Sequence, residues 1–229
     1  MIIHIFSSYG WNIEWHMSLG DKKCPIIKDI ISRNLTQQKD PKRRVKLLEC
    51  GSYSGYSTVL FGQALPEDGL IISTEIDNEF SAISKKLYDL SKLQEMIFHS
   101  ILFKWSGLVT SHFYQCFFKI YKKTEVQFIA ADTKTALSDL PDVDYFDFVF
   151  LDHEKDDYLP TLLKLTELKL IRKDSVIIAD NAIYPGCPEL LVYVRTAPKL
   201  YSTTLHPCID AYSPTVQDGI EEIICLTDP

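Results

Sequence analysis

The sequence contains no CxxC pair and no Cys/His spacing that would suit a zinc site. Its six cysteines (Cys24, Cys50, Cys116, Cys187, Cys208 and Cys225) are scattered, which reads as reduced thiols in a cytosolic protein rather than as a disulfide framework. Basic residues are not in excess: 24 Lys and Arg face 31 Asp and Glu, for a net charge of −7. Nucleic-acid binding leaves a basic stripe as its footprint, and the short run at 39–44 reads as a solvated loop, so no nucleic acid is expected as a partner. A basic n-region is missing from "MIIHIFSSYGW", and its apolar run is too short for a signal peptide. Absent too is the full GxGxxG dinucleotide pattern. The acidic balance fits a cationic ligand, or a metal held by acids.

The 229 residues are enough to bury a sizeable core. From residue 45 the chain alternates strand-like and helix-like blocks. Strands are expected over 45–50, 69–77, 125–132, 146–152, 174–181, 200–207 and 219–227, and helices over 56–65, 79–93, 158–170 and 188–197. Alternation of this kind implies a parallel sheet with helices on both faces, and the continuous apolar runs fit strands buried on both sides. The chain reads as one domain over 1–229. One stretch, 96–123, breaks the rhythm. It is rich in Phe, Ile and Tyr, and Lys104, His112 and Lys119 make it a poor membrane span, although an interfacial membrane element stays open.

Ligands of parallel sheets sit at the carboxyl ends of the strands. Glu49, Gly51, Glu75, Asp132, Asp152, Asp180 and Asn181 all fall there. In "LLECGSYSGYS" (47–57) Gly51 and Gly55 allow a sharp turn and close approach of a ligand, and the helix that follows offers free N–H groups. An acid at the end of the next strand, Glu75, typically accepts hydrogen bonds from ribose hydroxyls, so the pair points to an adenosine-containing cofactor. Asp152, Asp180 and Asn181 offer oxygen ligands only, which suits a hard cation such as Mg²⁺. "ADN" read alone is also a strand end with a helix cap. Lys155, three residues past Asp152, is either a base near a cation or a surface lysine paired with Asp156 or Asp157.

Four motifs in this order, "GDKK" (20–23), "GSYSGYS" (51–57), "FLDHEKDDYLP" (150–160) and "ADNAIYPG" (179–186), resemble the catechol O-methyltransferase family over residues 13–226, apart from 96–123. The resemblance implies a class I fold dependent on S-adenosylmethionine: a Rossmann-like, seven-stranded sheet with helices on both faces and the last strand antiparallel. It implies Mg²⁺-dependent methyl transfer to a catechol, a small-molecule partner, and a cytoplasmic monomer. By the same resemblance, Asp152, Asp180 and Asn181 are the metal ligands and Lys155 the general base. Met17, Leu19, Glu49, Gly51, Tyr53, Ser57, Glu75, Ile76, Thr133, Asp152 and His153 are cofactor contacts. Trp15, Lys155, Asn181 and Pro185 face the substrate. The chain departs from the family in several places. Glu154 stands where an aromatic gatekeeper is usual, and Thr215 is nearest to the place of a hydroxyl-binding glutamate. Ala131 and Asp132 replace small residues, Cys24 replaces a glycine, and the N-terminal helical cover is mostly missing. These departures keep open another vicinal-diol or polyphenol acceptor, and a cofactor-binding remnant without turnover.

Overall fold

The computed structural model describes residues 18–37, 43–90, 124–140, 143–210, 213 and 215–228. Within them seven strands form one sheet: β1 (Lys46–Cys50), β2 (Leu70–Glu75), β3 (Glu125–Ala130), β4 (Phe148–Leu151), β5 (Val176–Ala179), β6 (Tyr201–Ile209) and β7 (Gln217–Cys225). Their spatial order is β3-β2-β1-β4-β5-β7-β6. Strands β1 to β5 pair in parallel, and β7 runs antiparallel to both its neighbours. All seven expected strands are present. The stretch 96–123 lies outside the described residues, and no helix among the described residues is long and apolar enough to cross a membrane.

The helices are α1 (Gly20–Thr36), α2 (Tyr56–Ala64), α3 over 78–90, α4 (Thr133–Ser138), α5 (Tyr158–Glu167) and α6 (Pro188–Arg195). Successive strand residues point to opposite faces, so each apolar run feeds two cores. Leu48, Ile72, Val149 and Ile177 pack with Leu162 and Leu165 of α5 and with Leu190 and Val194 of α6. Leu47, Ile71, Phe150 and Ile178 pack with Ile27, Ile30 and Ile31 of α1 and with Leu60 and Phe61 of α2. Helix α1 covers one face of the sheet; the residues ahead of 18, on which the expectation of missing N-terminal cover bears, lie outside the described residues. Pro25 lies inside α1 and removes one helical N–H, yet the buried isoleucines recur at helical spacing and dock it on the sheet. Helix α2 stops where Leu65 turns extended ahead of Pro66, the conformation a following proline imposes.

Strand β7 carries three buried acids, Asp218, Glu221 and Glu222. Each is met by a cation from a helix. Lys23 of α1 reaches Asp218 at 2.7 Å, Arg195 of α6 reaches Glu221 at 2.7 Å, and Arg33 of α1 reaches Glu222 at 3.1 Å. Glu222 also accepts from Asn34 at 3.1 Å and pairs with His206 at 2.8 Å. A polar strand in this place therefore ties helices of both layers to one edge of the sheet.

Phe150 is fully buried and meets Phe61 edge-on with ring centroids 5.0 Å apart. Phe150→Ala is expected to lower the unfolding free energy by about 3–5 kcal/mol in a denaturant titration. Burial pushes the Glu222 carboxyl up, but hydrogen bonds from His206, Arg33 and Asn34 outweigh it and hold the group below its ordinary 4.5. Its charge therefore stabilises the fold above that pH, and the contribution disappears as pH falls through the lowered value. Glu222→Gln is expected to cost about 1–3 kcal/mol at neutral pH, with the gap to the native protein closing below pH 4.5 when unfolding is followed across pH.

Candidate functional site

Strands β1, β4 and β5 are in register through Cys50, Leu151 and Ala179. The residues that follow, Gly51, Asp152 and Asp180, consequently emerge side by side at the carboxyl edge. Strand order reverses between β1 and β4, and a cleft of about 760 Å³ opens there. Leu19, Gly51, Tyr53, Ser57, Glu75, Ile76 and Thr133 line it, as do Asp152, His153, Lys155, Asp180, Asn181 and Pro185. Met17 and Trp15 lie outside the described residues. Glu49 is not at the cleft surface. It is fully buried and accepts from Thr58 Oγ1 at 2.6 Å and Ser73 Oγ at 2.5 Å, bracing β1 against α2 and β2.

One half of the cleft is built by the glycine turn. Gly51 has φ +86°, and a Cβ there would stand 2.6 Å from the Asp152 carbonyl oxygen. Gly55 has φ +83°, and a Cβ would stand 2.8 Å from Ser84 Cα of α3. Both positions therefore require glycine. Glu75 accepts from the Tyr53 N–H at 2.8 Å and the Asp77 N–H at 3.1 Å, and an ionised carboxylate has further lone pairs for hydroxyls. Beside it Ile76 is 73% exposed, an apolar surface free for a flat ring. Phe80 packs on Tyr53 at 4.3 Å and also lines the cleft, a contribution the sequence reading did not single out. Asp132 lines the cleft and also caps α4, accepting from Thr135 N at 3.0 Å.

The other half is acidic. Lys155 donates to Asp152 Oδ1 at 3.2 Å and to the Tyr158 hydroxyl at 2.6 Å, and that hydroxyl donates to the Asp180 carbonyl at 3.2 Å. Asp157 is paired elsewhere, with Lys134 at 2.6 Å. Lys155 thus lines the cleft and pairs with Asp152 rather than with Asp157. Asn181 sits in the left-handed region at φ 55° and makes no side-chain cap, so "ADN" does not serve as a helix cap. Its side-chain amide donates to Asp218 at 3.0 Å. His153 stacks on Tyr158 at 5.1 Å and pairs with Thr161 at 2.9 Å; burial pushes it down to about 4, which keeps it neutral. Glu154 lines the cleft, while Thr215 is exposed in the turn ahead of β7 and does not.

Asp152 lies deep, with 26% of its side chain open to the cleft. Its carboxyl is pushed up to about 7, by burial first and by the charge of Asp180 second, against the pull of Lys155 and Lys23. Asp152, held up by burial and by the charge of Asp180, forms with Asp180 and the Asn181 carboxamide an all-oxygen donor set with a shortage of positive charge. That chemistry fits a hard divalent cation. Among the described residues no group of three or more His, Cys, Asp and Glu side chains suits a metal, so the set here rests on two Asp and one Asn. Lys23 and Asp218 were not legible as site residues. Burial disfavours the charge of Lys23, but Asp180 and Asp218 outweigh it and hold the ammonium well above its ordinary range.

A family model described as "Methyltransferase domain" matches residues 48–182. The chain is 31% identical to catechol O-methyltransferase of Bos taurus over 223 residues, covering 97% of this chain and 69% of that protein. It is 28% identical to catechol O-methyltransferase B of Danio rerio, covering 93% and 67%. Among solved structures, the O-methyltransferase TomG from Streptomyces achromogenes in complex with SAM is similar at a TM-score of 0.62 and 16% identity, covering 98% of this chain and 89% of that one.

Gly51→Ala places a methyl group against the Asp152 backbone and strains a left-handed residue. It is expected to cost about 1–3 kcal/mol in thermal unfolding, and to weaken S-adenosylhomocysteine binding at least tenfold by calorimetry.

Proposed function

The chain belongs to the catechol O-methyltransferase family, and from that premise we propose that it moves the methyl group of S-adenosylmethionine onto one hydroxyl of a catechol with the help of Mg²⁺. It is an S-adenosylmethionine-dependent O-methyltransferase; the acceptor and the metal are the proposed part. The observation that carries the reading is Lys155, held between the Asp152 carboxylate and the Tyr158 hydroxyl in the cleft that also holds Asp180, Asn181 and the glycine turn. The sheet draws its strands from residues 46–225, which supports reading 1–229 as one methyltransferase domain.

A phenol has a pKa of about 10 and is a poor nucleophile at neutral pH. Asp152, Asp180 and Asn181 would hold Mg²⁺, which supplies positive charge for the developing oxyanion. Lys155, within reach of both Asp152 and the cleft, takes the proton from one acceptor hydroxyl. That oxygen then forms a bond to the donor methyl carbon. The electron pair of the breaking C–S bond stays on sulfur, leaving S-adenosylhomocysteine and the methyl ether, with the proton on Lys155. Tyr158 keeps the amine at the cleft edge by accepting from it. Glu75, Ser57 and Thr133 would orient the donor, Ile76 would cover its ring, and Leu19 and Pro185 would close off water. Much of the rate comes from holding the two reacting atoms at contact distance.

A second acceptor class is favoured by Glu154, which lines the cleft in place of an apolar wall. Another vicinal diol or polyphenol would then turn over better than simple catechol in an acceptor panel. The decisive assay follows methyl transfer from S-adenosylmethionine to catechol, with Mg²⁺ and with EDTA. EDTA is expected to abolish turnover. Lys155→Ala is expected to lower kcat by about 10²–10⁴-fold with little change in KM for the donor. A folded native protein without turnover on any diol would reject the enzymatic proposal in favour of a cofactor-binding remnant.

A further inference from the structure

Lys23 is 1% exposed, and its ammonium lies 2.8 Å from Asp180 Oδ1, 2.7 Å from Asp218 Oδ2 and 3.7 Å from Asp210 Oδ1. A lysine in such a place keeps its charge only because the carboxylates keep theirs, and each group needs the other. What it touches is directional. Asp180 Oδ1 takes Lys23 and the Asn181 N–H, the latter at 2.7 Å, which commits that oxygen to the protein. Asp218 Oδ2 takes Lys23 and the Asn181 carboxamide N–H, the latter at 3.0 Å. Asp218 Oδ1 accepts from the backbone of Ile183 at 3.3 Å and of Tyr184 at 3.0 Å, fixing the turn that follows. A flipped Asn181 amide would set oxygen against a carboxylate, so its carbonyl oxygen is held away from Asp218.

We propose that Lys23 is a positioning residue for the metal ligands: a resident cation that clamps Asp180 directly and, by keeping Asp218 charged and in place, fixes the orientation of Asn181. The clamp sets the Asp180 and Asn181 oxygens before a divalent ion arrives. Helix α1, through this one ammonium, is therefore part of the site. The inference rests on the Mg²⁺ reading given above.

The test separates positioning from plain electrostatics by sign. Removing a positive charge beside a cation site should, by Coulomb's law alone, tighten divalent-ion binding. Loss of a clamp should weaken it. Mg²⁺ binding is measured by calorimetry, with S-adenosylmethionine present, for the native protein, Lys23→Met and Lys23→Gln. The glutamine retains a donor and is the better tolerated of the two in a polar pocket. The expected result is a Kd for Mg²⁺ raised tenfold or more in variants that circular dichroism shows to be folded. An unchanged or lower Kd overturns the proposal. So does a Lys23→Gln protein that is unfolded without metal and refolds on adding Mg²⁺, because the ion would then assemble its ligands unaided. A native protein that binds no Mg²⁺ rejects the metal reading itself, and the inference with it, whereas binding that survives both substitutions rejects only the inference.

Discussion

Carboxylates at the bottom of a cleft need positive charge, and most of the architecture around this site answers that need. Asp152, Asp180 and Asp218 stand at the ends of β4 and β5 and at the start of β7, with Lys155 and Lys23 as their ammonium partners. With Asp210 also 3.7 Å from Lys23, carboxylates outnumber the two lysines, which leaves a demand for positive charge. The raised Asp152 carboxyl expresses it: burial and the charge of Asp180 make its ionised form costly. In the proposed reading a divalent cation relieves that cost, and an acceptor oxygen beside it would share the benefit. Helices α1 and α5 owe their place in the site to this balance, because each contributes one of the groups, Lys23 and Tyr158, that hold the charges in position.

The sheet makes the arrangement possible. Register between β1, β4 and β5 brings Gly51, Asp152 and Asp180 out together, and the reversal of strand order opens space above them. The glycine turn packs its backbone against the strand that carries Asp152, close enough that no side chain fits between them. The two halves of the cleft are thus joined through backbone contact.

The strands were legible because parallel strands buried on both faces read as unbroken apolar runs. Helix α1 was not, because Pro25 reads as a breaker and only docking of Ile27, Ile30 and Ile31 overrides it. Helix α4 escaped because six residues carry too little periodicity. Position at a strand end pointed to Asp152, Asp180 and Asn181, which line the cleft, yet it did not show which strand-end acids are turned inward. Glu49 turned inward to Thr58 and Ser73, while Asp132 lines the cleft and also serves as a cap. Lys23 lies in the quoted "GDKK" motif, but neither it nor Asp218 was given a site role, since partners 195 positions apart in sequence meet only through the packing of α1 on the sheet.

The central claim is that the acid edge is a divalent-cation site. Its most direct test is a crystal of the protein grown with Mn²⁺ and S-adenosylhomocysteine, with the metal located by anomalous scattering. The account predicts a single strong peak bounded by the side-chain oxygens of Asp152, Asp180 and Asn181. A cleft that holds the nucleoside but shows no peak there, or a peak bound by other residues, would contradict it.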